Sequence, residues 1–252
     1  MLHFGRLAGV AIAFSLLVGC AHRSESTSPP LTLEQVALPG PPAGAYARWD
    51  NVPVLPGKRR TAYWVEQAER STGDARYLRA RSQSAASALT LRLQPQPAPK
   101  QIAWSWKVLH APEDAATADS TREDSAARIV LMFGPPSNAA LDALPMRDQL
   151  AMEKARLLLR REPPYATLMY LWSADKSPEA IFISRHTGRV RSVIVDGPRK
   201  TVDWQSFDRD VAADFQRAFG EAPGPLIGVA IMTDSDNTGS RAEALYRDLR
   251  LR

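Results

Sequence analysis

The strongest constraint on the fold is a strict alternation from Gln101 to Leu109. Ile102, Trp104, Trp106 and Val108 share one face; Ala103, Ser105, Lys107 and Leu109 share the other. A period of two is strand geometry, and two tryptophans on one side call for a wide apolar layer above them. A second run, Arg128-Ile129-Val130-Leu131-Met132-Phe133, is almost continuously apolar and closes on Gly134-Pro135-Pro136. That is the pattern of a central strand covered on both faces. Thr61–Val65, Ala75–Arg81, Ser87–Leu93, Tyr165–Trp172, Ile181–Ile183, Val190–Val195, Pro225–Met232 and Ala244–Leu251 read as further strands, and His186-Thr187-Gly188 suits a hairpin turn. The acidic Glu113–Asp124 segment is expected to be an exposed, mobile loop. Only two segments change period. Met146 to Arg161 carries Met146, Leu150, Ala151, Lys154, Leu157 and Leu158 at helical spacing behind Pro145. Ser206 to Phe219 repeats Phe207, Val211, Phe215 and Phe219 every four residues before a terminating Gly220. Many strands with only two helices predict a mainly β sandwich with two helical insertions.

The N-terminus gives a location. Arg6 precedes an apolar run from Leu7 to Val18, and Gly19 and Cys20 follow. A charged start, an apolar middle and a small-residue break form a secretory signal. The run is about a dozen residues, too short for the roughly 20 that span a bilayer. The Leu17-Val18-Gly19-Cys20 ending resembles the lipobox of bacterial lipoproteins, which implies cleavage and acylation of Cys20, with the membrane reached through that N-terminal lipid. Ala21 stands where an aspartate would signal inner-membrane retention, so the same resemblance implies an outer-membrane, periplasm-facing, lipid-anchored protein. Residues 1–19 are then the signal peptide. Residues 20–42, rich in serine and proline, form a tether that cannot bury a core, although Leu31–Leu38 has the makings of a first strand. Residues 43–252 form one domain. Cys20 is the only cysteine, so no intramolecular disulfide is possible.

The formal charge is +5, and +4 once residues 1–19, which hold Arg6 and no acid, are removed. Arginine far outnumbers lysine, and its planar fork suits carboxylate and phosphate. The cations are scattered without a dense run, and nucleic acid is a poor partner for that compartment.

A series of landmarks runs along the chain: Ala103-Trp104-Ser105-Trp106-Lys107-Val108, Ala127–Phe133, Tyr165–Trp172, Trp204 ahead of Asp208-Arg209-Asp210-Val211, Asp214-Phe215, Phe219-Gly220, Gly228–Gly239 and Ala244-Leu245-Tyr246-Arg247-Asp248-Leu249. In this order they resemble the DUF3047 family, a bacterial domain of unknown function, from about Arg48 to the C-terminus. The family pattern near the end is closer to Tyr-Gly-Asp-Ile, and here Arg247 replaces the glycine. The closing Tyr-x-Asp-hydrophobic unit also resembles jelly-roll carbohydrate-binding modules of the galactose-binding type, which implies a jelly-roll-like β-sandwich.

Three sets of residues could carry chemistry. Asp234-Ser235-Asp236-Asn237-Thr238-Gly239 mimics the start of a calcium loop, but position twelve is Leu245 and not an acid. A structural calcium could use Asp234, Asp236 and Asn237 with a remote group such as Asp248; the same residues also make a tight turn. Paired acids such as Asp208, Asp210 and Asp214, or Asp234 with Asp236, are the raw material of a glycosidase. The aromatic stock, with Trp104, Trp106, Trp172 and Tyr246 as candidates, could stack on sugar rings or fill the core. No nucleophile elbow, phosphate loop or His/Cys metal spacing occurs. The reading favoured is a non-catalytic binding module for an envelope glycan or other polar ligand. A metal-assisted glycan hydrolase centred on Asp234 and Asp236, or a scaffold for a protein partner, are the alternatives.

Overall fold

The computed structural model describes residues 49–67, 76–199 and 202–252. The signal segment, the tether and the Leu31–Leu38 stretch lie outside the described residues.

Among the described residues, twelve strands form two sheets. β1 (Trp49–Pro53), β4 (Ala86–Gln96), β11 (Leu226–Asp234), β6 (Arg128–Phe133), β7 (Ala166–Trp172), β9 (Val190–Asp196) and β8 (Ile181–Ile183) lie side by side in that order. β10 (Gln205–Asp210), β5 (Gln101–His110), β12 (Arg241–Leu251), β3 (Arg76–Gln83) and β2 (Ala62–Gln67) form the second sheet. Neighbours are antiparallel except β7 and β9, which are parallel. The mainly β sandwich read from the sequence is the fold. Among the described residues its helices are α1 (Asn138–Asp142), α2 (Met146–Leu159) and α3 (Val211–Phe219), one more than expected.

The alternation in β5 works as read. Ile102, Trp104 and Trp106 are almost fully buried, and their rings meet a second aromatic set from both sheets. Trp104 lies 5.0 Å from Tyr170 of β7 and 5.1 Å from Phe207 of β10; Trp106 meets Phe207 at 5.0 Å and Tyr246 of β12 at 6.5 Å. β6 is central, with Ile129, Val130, Leu131 and Phe133 buried between β11 and β7.

Two expectations are corrected. The second helix begins at Val211, because Gln205 to Asp210 pair with β5 residue by residue, Phe207 opposite Trp104. The four-residue recurrence of Phe207 was a strand residue facing the core ahead of a true helix. Asp210 caps that helix by accepting from the Ala213 N–H at 2.9 Å, and Gly220 ends it at φ +74°. In α2 the apolar residues face outward: Met146, Leu150, Leu157 and Leu158 are exposed, while Asp148 is buried and Met152 packs on the core. Asp148 Oδ1 accepts from the Gly188 N–H at 2.7 Å and the Thr187 hydroxyl at 2.8 Å, which ties α2 to the β8–β9 hairpin. Finally, the Glu113–Asp124 loop is pinned at both ends of its course, with Thr117 and Asp124 buried.

The two tryptophans of β5 differ in one respect. Among the described residues the Trp104 indole N–H has no partner, whereas that of Trp106 donates to Asp196 Oδ2 at 2.9 Å. Trp106→Phe is therefore expected to lower the unfolding free energy by about 2 kcal/mol more than Trp104→Phe, since it also withdraws a donor from a buried carboxylate. Urea denaturation of both variants measures the difference; equal losses would show that the hydrogen bond contributes nothing.

Candidate functional site

The four aromatics singled out as sugar-stacking candidates all lie in the core. Trp104, Trp106 and Tyr246 are at most 2% exposed, so their rings are unavailable to a ligand. The reason is the strand period itself: the outer face of β5 belongs to Ser105 and Lys107. Tyr246 shares a hydrogen bond with the Thr233 hydroxyl at 2.8 Å and donates to the Met232 carbonyl at 2.9 Å, joining the two sheets. Burial pushes its phenol well above the ordinary range. Trp172, also buried, is the one of the four that lines a cavity.

The Asp234–Gly239 turn gathers charge. Asp234 Oδ1 accepts from the Ser125 N–H at 3.0 Å, and its Oδ2 lies 3.1 Å from Arg128. Asp236 lies 2.5 Å from the Lys58 ammonium. Asp124, at the end of the Glu113–Asp124 loop, accepts from the Asn237 N–H at 3.2 Å, and from the Thr238 N–H and hydroxyl, each at 2.7 Å. Carboxylate oxygens of Asp124, Asp234 and Asp236 lie within 4.8 Å of one another, so these three could converge on a cation. Of the other expected ligands, Asp248 stands apart, while Asn237 adjoins the cluster through its N–H. Asp248 sits at φ +57° in β12, beside Arg247 and Arg250. Asn237 donates its amide to the Ser120 carbonyl at 2.8 Å. A turn-closing acid from a distant loop leaves no periodic trace, which is why Asp124 went unread.

The cavity lies where β5, β7 and β9 end and β10 begins, and it measures about 330 Å³. Val108, Trp172, Pro198 and Val202 supply its apolar wall; Asp196, Arg199, Asp203 and Gln205 supply its polar groups. Asp196 is the anchor. Besides Trp106, its carboxylate takes the Arg199 Nε–H at 2.8 Å and the Gly197 N–H at 2.9 Å. Its carbonyl accepts from the Ser173 N–H at 3.0 Å, which brings this turn against the end of β7. A Cβ on Gly197 would fall 2.9 Å from the Ser173 carbonyl, so glycine is required for that approach. The result is a rigid polar floor beside an apolar wall, an arrangement that accepts a ligand with one apolar face and several hydroxyls.

A family model described as "Protein of unknown function (DUF3047)" matches residues 47–250. No curated protein is significantly similar to the chain. Among solved structures, the chain is similar to the enzymatically active domain of tailspike protein 4 from bacteriophage CBA120, with a TM-score of 0.37 and 6% identity, over 81% of this chain and 19% of that one. The chain thus spans about a fifth of the length of that protein. It is also similar to endoglucanase 3 of family GH12 from Trichoderma harzianum, with a TM-score of 0.38 and 10% identity, over 81% and 84% of the two chains. A family 11 carbohydrate-binding module from Clostridium thermocellum gives a TM-score of 0.33 and 5% identity over 81% and 88%.

Burial raises the Asp234 carboxyl to about 7, partly opposed by Arg128 and reinforced by Asp124. A folded-state value above the unfolded value of about 3.9 means that the native state holds its proton longer. Its contribution to stability is fully present below about pH 4 and is lost as pH rises towards 7. Asp234→Asn is expected to flatten this decline, measured as melting temperature from pH 4 to 8; an unchanged slope would assign the pH dependence to another group.

Proposed function

The chain belongs to the DUF3047 family, and from that premise we propose that it is a non-catalytic binding module for a polar ligand, a cell-envelope glycan, tethered to the periplasmic side of the outer membrane by an acylated Cys20. The observation that carries this reading is the cavity beside Trp172, with its apolar wall and its fixed polar floor of Asp196 and Arg199. A sugar offers both kinds of surface, a C–H face for the wall and hydroxyls for the floor. The signal segment ending at Cys20 supports the location. The Asp124–Asp234–Asp236 cluster supports this module in a structural capacity: its acids tie the β11–β12 turn to Lys58, Arg128 and the preceding loop. A calcium ion seated there would compete with Lys58 for Asp236 and would act as a further clamp on the turn.

Binding of envelope glycan fragments to the purified chain, followed by calorimetry, tests the proposal. Val202→Ala and Gln205→Ala change the cavity without removing core packing, since Val202 is exposed and Gln205 is only partly buried. The double variant is expected to bind about tenfold more weakly, roughly 1.4 kcal/mol, with an unchanged melting temperature. Undiminished binding would move the site elsewhere, and turnover of a labelled glycan would overturn the non-catalytic reading.

A further inference from the structure

The outward face of α2 has no role in the sandwich or the cavity. Its inward side is the row of Asp148, Met152, Ala155 and Leu159, each buried or partly buried. Its outward side carries Met146, Leu150 and Leu157, which are 68%, 62% and 74% exposed. At 3.6 residues per turn these three fall within an arc of about 40°. Large apolar side chains this exposed, grouped on one helix, mark an interaction surface.

The charges around the strip name its occupant. Lys154 lies beside it, and Arg160 and Arg161 follow at the helix end. Among the described residues none of these three takes part in an ion pair, whereas Arg156 is matched by Glu153 and Glu162. Arg161 is held below the usual arginine range by partial burial and by neighbouring Arg92, a pair of cations without a carboxylate between them. An apolar strip with uncompensated cations on one flank and at its C-terminal end, and the Glu153–Arg156 pair on the other flank, complements an anionic lipid surface, which offers acyl chains and phosphates at the same depth. A second copy of this chain would bring the same cations face to face.

We infer that α2 is a membrane-surface helix, seating Met146, Leu150 and Leu157 at the headgroup boundary and Lys154, Arg160 and Arg161 on phosphates. The inference rests on the envelope reading for the presence of a membrane and is independent of what the cavity binds.

The test uses the full chain with Cys20→Ser and one new thiol, Leu157→Cys or Leu150→Cys, carrying an environment-sensitive bimane; Val65→Cys is the control on another exposed surface. Vesicles of phosphatidylethanolamine with phosphatidylglycerol are compared with vesicles of phosphatidylcholine alone. On the anionic vesicles, bimane at 157 and 150 is expected to shift to the blue and to lose about threefold of its iodide quenching, while position 65 does not change. Lys154→Glu with Arg160→Glu is expected to abolish the difference between the two lipids. Failure to sediment with vesicles, or a bimane at 157 quenched as in solution on sedimented protein, overturns the inference. Protection without vesicles that grows with protein concentration overturns it too, in favour of self-association. Glycan calorimetry and the mass of the Cys20 peptide from cells report on the other readings separately.

Discussion

The indole N–H of Trp106, 2.9 Å from a buried Asp196 oxygen, is the contact on which both the core and the cavity depend. A buried carboxylate is costly unless charge and hydrogen bonds compensate it. Asp196 has both: the Trp106 donor from the opposite sheet, the Arg199 guanidinium and the Gly197 N–H. The ring that supplies the first donor is wedged against Phe207 and Tyr246, so the donor cannot move away. The floor of the cavity is thus positioned by the packing of β5 rather than by a flexible loop. This is the rigidity that a binding site built on sheet ends requires.

A second junction joins the sheets next to the first, through the Tyr246 that packs on Trp106. The Thr233 hydroxyl stands across the two sheets between the Tyr246 hydroxyl and the Ala126 carbonyl, each 2.8 Å away. Immediately beyond Thr233 stands Asp234, and from there the acids run into the turn held by Asp124. Buried polar groups satisfied in this connected way specify one arrangement of strands where apolar packing alone would tolerate several. The raised Asp234 carboxyl is the cost of placing an acid at the end of a central strand, and the proximity of Arg128 limits it.

The strands of this fold were legible because alternation depends only on neighbours along the chain. β5 and β6 could be read from their own residues, and the sandwich followed from the number of such runs. Phe207 shows where local reading fails. A four-residue recurrence fits a helix, but pairing with Trp106 through Gln101 extends the chain up to Asp210. In α2 the spacing gave the helix but not which face is buried: the apolar residues there are the outward ones and the buried residue is Asp148. The cavity was legible only in Trp172. Its polar members, Asp196 and Arg199, gain meaning from an indole that is 90 residues away in sequence, a separation no short motif records.

The distribution of charge follows the same logic. Much of the arginine excess is matched within the sheets: Glu243 alone, nearly fully buried, is met by Arg79, Arg81 and Arg241. Asp214 and Glu179 are both met by Arg209 and Arg217. Such pairs orient side chains on a strand or helix surface and leave little field beyond a Debye length. Among the cations outside these pairs, Lys154, Arg160 and Arg161 stand beside the most exposed leucine of the described residues, Leu157. Burying Leu157 in the sandwich would have been the cheaper use of an apolar side chain; leaving it beside unpaired cations is stabilising only when something apolar and anionic meets both.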